Sequence, residues 1–89
     1  METGELITTI GINEAIKSDE IFENELRKCW DRYINLDWGE IDDYDKSVNE
    51  EALEIGERIF AKYETTKGDI FIITERDRSC TTILFANEY

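Results

Sequence analysis

The sequence predicts an α+β domain: two helices packed on one face of a small, mainly antiparallel sheet, in the order β-α-α-β-β-β. Two observations carry that expectation. Apolar residues in the middle of the chain recur at helical spacing, and the last third changes to short β-branched and aromatic runs separated by polar turns. With 89 residues there is room for one domain, 1–89, around a modest core.

The elements are taken in chain order. Residues 6–10 (LITTI) are apolar and β-branched, which predicts a short strand before Gly11. Residues 12–17 have room for one or two helical turns. Ser18 and Asp19 are good N-cap residues. After them Phe22, Leu26, Cys29 and Tyr33 are spaced 4, 3, 4, with Ile21, Trp30 and Ile34 widening the stripe, so a helix is expected over residues 19–35. Ile41, Tyr44, Val48, Ala52, Ile55 and Ile59 continue at 3, 4, 4, 3, 4 and predict a second helix that begins near Asp42 or Asp43. Gly56 is suited to end it, since glycine tolerates the left-handed conformation that closes helices, and Ile59 then belongs to the next element. Residues 58–64 (RIFAKYE), 69–74 (DIFIIT) and 80–86 (CTTILFA) read as strands. The glycine-containing turn 65–68 and the polar turn 75–79 join them into an antiparallel meander.

Composition narrows the function. There are 22 acids against 10 bases, a net charge of −12. Such a chain repels nucleic acid and anionic membranes and attracts basic surfaces. Direct nucleic-acid binding would need Lys and Arg to displace phosphate counterions, so a basic protein is the expected partner. The absence of histidine removes the commonest general base and metal ligand. No enzymatic activity, cofactor or metal is expected. The acids near Gly39 lack the alternating order of a calcium loop. The N-terminal METGELITTIG has no basic region followed by an apolar run, and no segment approaches the ~20 apolar residues of a membrane span. Cys29 and Cys80 read as reduced core residues, and a cytoplasmic protein is expected.

The acidity is concentrated. Asp37, Glu40, Asp42, Asp43, Asp45, Glu50, Glu51, Glu54 and Glu57 face a single base, Lys46, so this stretch carries −8 of the −12. Asp42, Asp43 and Asp45 fall at a helix start, where negative charge is favoured by ~0.3–1 kcal/mol each. The glutamates lack that reason. Glu50 with Glu54, and Glu54 with Glu57, place like charges one turn apart, costing about 0.2–0.5 kcal/mol per pair. A solvated face is one reading. The other is a row of carboxylates that imitates a phosphate backbone to a basic groove. The candidate partner-binding set is those nine acids plus Trp38, which either anchors its loop to the core or marks an exposed contact.

A second candidate is the turn within residues 74–82. Arg76, Asp77 and Arg78 are able to recognise a carboxylate or phosphate as a small-ligand or regulatory site, or they pair with one another and protect the sheet edge. Cys80 follows this turn closely and has basic neighbours, yet it lacks a base partner for nucleophilic catalysis.

Part of the pattern is shared with a known group. It comprises Asp37-Trp38-Gly39, Asp42, Asp45, Asn49, Ala52-Leu53, Gly56, Arg58 and Tyr63. It continues through Ile72-Ile73-Thr74-Glu75, Asp77-Arg78-Ser79, Thr81-Thr82-Ile83-Leu84 and Glu88-Tyr89. Over residues 37–89 the chain resembles the small "plasmid-related" proteins of bacterial plasmids, integrative elements and phages; the first 36 residues lack the proline those proteins carry near the first helix. The resemblance implies a setting, mobile elements inside bacterial cells, and assigns no functional residues. In that setting the expected role is inhibition of a host defence nuclease complex, of the anti-CRISPR or anti-restriction type.

Overall fold

The computed structural model describes residues 1–89. Strand β1 spans Glu5–Thr8, followed by helices α1 (Ile10–Ser18), α2 (Glu20–Ile34) and α3 (Asp43–Ile55). Strands β2 (Ile59–Thr65), β3 (Gly68–Thr74) and β4 (Cys80–Phe85) complete the sheet, and a 3-10 turn covers Ala86–Glu88. The α+β class and the meander are as predicted. The helices number three rather than two. Thr9 explains the extra one: its hydroxyl accepts from the Ile12 N–H, so α1 starts at Ile10, the last residue assigned to the first strand, and extends the one or two turns expected over residues 12–17.

The sheet order is β1-β4-β3-β2. β2, β3 and β4 are antiparallel neighbours, while β1 runs parallel to β4 with Leu6 opposite Thr81 and Thr8 opposite Ile83. Alternate residues of the meander (Ile59, Ala61 and Tyr63; Ile70 and Ile72; Ile83) join Ile12, Phe22, Leu26, Cys29 and Tyr33 in one core. Phe60, Phe71 and Tyr89 form an aromatic row outside it, with ring centroids 4.7 and 5.5 Å apart. Cys29 is buried, Cys80 half-buried, and both are free thiols; burial pushes the Cys29 thiol up. No helix is long and apolar enough to cross a membrane.

A buried polar chain locks the N-terminal segment to this core. Thr81 donates its one hydroxyl proton to the Thr3 carbonyl at 2.6 Å. Thr74 must therefore donate to Thr81 at 2.7 Å, and Tyr33 to Thr74 at 2.6 Å. Burial pushes the Tyr33 phenol up to about 12, keeping it a donor.

The open side of β2 is closed by side chain and loop. The Asn49 carboxamide donates to the Phe60 carbonyl at 2.7 Å and accepts from the Phe60 N–H at 3.2 Å. Two residues on, Lys62 donates to the Trp38 carbonyl and accepts from the Glu40 N–H. Gly39 makes that approach possible: its φ is +77°, and a Cβ there would lie 2.0 Å from the Lys62 carbonyl oxygen. α3 is thus fastened along the β2 edge rather than laid on the sheet face.

Candidate functional site: an acidic helical face

The edge position of α3 decides which of its residues meet solvent. Only Asn49 and Ala52 of the helix are buried. Tyr44, Val48 and Ile55, predicted to face the core, are 75%, 42% and 62% exposed. The helical period was right and the burial was not, because Asn49 docks the helix through hydrogen bonds at a strand edge, where a broad apolar stripe is unnecessary. Glu51, one turn after Val48 and one turn before Ile55, is the sequence signal that this stripe faces water. The exposed apolar residues continue into a cleft of about 240 Å³ between α3 and β2, lined by Val48, Asn49 and Phe60 with Asp45 and Arg58.

The predicted acids divide into two groups. The first is engaged inside the fold. Asp37 accepts from Arg32 Nε at 2.8 Å and from Nη2 at 3.2 Å, and also from the Gly39 N–H. These bonds, the Arg32 bond first, hold its carboxyl below the usual aspartate range. Glu40 lies 3.7 Å from the same guanidinium, which also sits 5.0 Å from the centre of the Tyr63 ring. Glu57 follows the left-handed Gly56 cap, so it stands off the helix and its predicted row with Glu54 does not form. Its carboxylate takes two bonds from Arg76, at 2.6 and 2.9 Å.

The second group is free of cations. Asp42 is the N-cap of α3, accepting from the Asp45 N–H at 2.8 Å, and Asp43 and Asp45 occupy the first turn, as their spacing implied. Glu50 accepts from Trp38 Nε1–H at 3.1 Å. Glu51 and Glu54 are exposed. None of these six carboxylates takes part in any of the six ion pairs of the molecule. They spread along the surface; nowhere do three or more Cys, Asp or Glu side chains form a group able to hold a metal ion. Trp38 is 3% exposed and packs edge-on against Tyr33, ring centroids 5.7 Å apart. It anchors the loop and is removed from the set of surface contacts.

The 75–79 turn is occupied by its own structure. Arg78, at φ +60°, aims its guanidinium at the carbonyls of Glu57 (2.7 Å), Glu75 (3.0 Å) and Ala52 (3.1 Å), closing the C-terminus of α3. Arg76 pairs with Glu57, and Asp77 accepts from the Ser79 N–H at 2.9 Å. The three residues do not pair with one another as the self-paired reading expected: both arginines reach back to the end of α3 and the residue after its cap, and Asp77 bonds within the turn. Sequence reasoning missed this use of Arg78, because the carbonyls it bonds lie up to 26 residues away.

Fold and site define a small acidic α+β domain that carries an exposed, unpaired carboxylate face on a helix fastened to a sheet edge. No family model matches the chain. Neither a curated protein nor a solved structure matches it.

Proposed function

We propose that the chain is a non-catalytic interaction protein whose α3 face binds a basic, nucleic-acid-binding protein and blocks its groove. The observation that carries the reading is the combination on one helix. Asp43, Glu51 and Glu54 have no cation partner, and Tyr44, Val48 and Ile55 are exposed between or beside them. Unpaired carboxylates steer a basic surface into an encounter. Exposed aromatic and aliphatic side chains supply the desolvated contacts that hold a complex together. A solubility role alone explains the charge and leaves the apolar stripe without a reason. The resemblance to mobile-element proteins favours a host defence nuclease complex, of the CRISPR or restriction type, as the partner.

The test is capture from a bacterial lysate on the immobilised chain at low salt, followed by competition. The captured protein should elute as salt rises, bind DNA or RNA, and release it when the chain is added. The triple variant Asp43→Asn, Glu51→Gln, Glu54→Gln should lose capture at least tenfold. Capture that is indifferent to salt and survives the triple variant would sink the reading.

A further inference from the structure

The two edges of the sheet are treated differently, and the difference points to a second interaction surface. At β2 the outward backbone groups of Phe60 and Lys62 are occupied by Asn49, Trp38 and Glu40. At β1 nothing plays that part. Its register with β4, extended by bonds from Glu5 N–H to Ser79 and from Thr9 N–H to Ile83, turns the odd-numbered residues inward. The N–H and C=O groups of Leu6 and Thr8 therefore point outward from the sheet, in the arrangement an added strand would use.

That open edge borders the largest groove of the molecule, about 470 Å³. Leu6 and Ile83 floor it, with Leu6 49% exposed, and Ile16, Leu26 and Trp30 wall it. Glu23 and Asp31 stand on the α2 side with Arg27 between them. Arg27 lies 3.6 Å from Glu23, which leaves Asp31 without a cation.

The geometry points to β1 and this groove as a docking site for an extended peptide segment with alternating apolar and basic side chains. The segment adds as a fifth strand beside β1, bonding to Leu6 and Thr8. The basic set enters the groove, its aliphatic stems over Leu6 and Trp30 and its charged ends at Asp31 and Glu23; the apolar set falls on the opposite face, beside the exposed Ile7. Charge selects this occupant. Two copies of a chain with net charge −12 repel one another at such an edge, whereas a basic segment is attracted. The site is on the opposite edge of the sheet from α3, so it stands or falls separately from the reading above.

The probe is the capped synthetic octapeptide Lys-Val-Lys-Val-Lys-Val-Lys-Val, titrated into the full chain with amide NMR detection. Saturable binding should shift the Leu6 and Thr8 amides and slow their hydrogen exchange. The same peptide N-methylated at every backbone nitrogen keeps its charge and loses all its ladder donors, and should bind at least tenfold more weakly. Asp31→Asn should weaken binding of the parent peptide several-fold; Glu51→Gln should leave it unchanged. Equal binding of the methylated peptide would overturn the proposal, because charge alone would then explain the attraction. So would shifts confined to α3. A dimer of the free chain that protects Leu6 and Thr8 would give the edge to a second copy and overturn the peptide assignment.

Discussion

Arg32 shows why a count of acids overstates the free charge of this protein. One guanidinium bonds Asp37, approaches Glu40 and lies against the Tyr63 ring, so two of the nine clustered acids belong to the architecture. The Asp37 carboxyl is held below its ordinary value by Arg32. A depressed acid stabilises the fold fully above the unfolded-state value, near 3.9, and the contribution is lost as pH falls through the lower folded-state value. Asp37 is half-exposed, so solvent screens the pair and its worth is about 0.2–1 kcal/mol. Asp37→Asn should therefore lower the urea midpoint at pH 7, while its curve converges with the parent curve as pH falls below the depressed folded-state value. A constant difference across that range would mean that the ion pair is not the source. Two residues on, Gly39→Ala should cost more, about 1–3 kcal/mol for a strained φ, plus displacement of the Lys62 carbonyl. Urea unfolding measures both.

Elements were more legible than their surroundings. Helix α3 could be read to within a residue at each end, because Asp42 and Gly56 are local signals that act through their own backbone. The three strands of the meander were legible for the same reason: alternation and turn chemistry are written in neighbouring residues. What α3 packs against was not legible. Asn49 meets Phe60 across 11 residues and Arg78 meets Ala52 across 26; neither pairing leaves a periodic trace. The parallel pairing of β1 with β4, nearly the length of the chain apart, was hidden for the same reason. Of the candidate acids, the capping aspartates were correctly placed and Glu57 was not, since its partner Arg76 is set by the hairpin. Arg78 is the clearest test at this scale. Arg78→Ala leaves up to three carbonyls without their donor and should cost about 1–3 kcal/mol. Hydrogen exchange should quicken in the last turn of α3 and in the 75–79 turn. Lys should not rescue it, since an ammonium cannot span carbonyls that a planar fork reaches together. If Arg78 instead served an anion site, Arg78→Ala would leave stability unchanged. Thr74→Val probes the link between elements, because it removes the acceptor of Tyr33 and the donor to Thr81 in a buried chain. About 1–3 kcal/mol is expected from urea unfolding.

At the scale of the whole molecule the charge acts against the fold. A net −12 over 89 residues repels itself, and six of the sixteen carboxylates without a cation partner lie on α3 or at its cap. Glu51 and Glu54 have no capping role, and Glu50 and Glu54 stand one turn apart. Replacing Glu51 and Glu54 by Gln should raise stability by a few tenths of a kcal/mol, from relief of like-charge pairs and of a negative charge near the helix C-terminus. In the parent protein, moderate NaCl should raise the melting temperature by screening the same repulsion, and the increase should be smaller in the double variant. Capture of the basic partner should move the opposite way, falling as stability rises. Those opposite signs separate a binding face from a solubilising one, since a solvated face would give the gain in stability with no loss of any partner. A double variant that is both more stable and equally able to capture would show that the glutamates of α3 serve solubility alone.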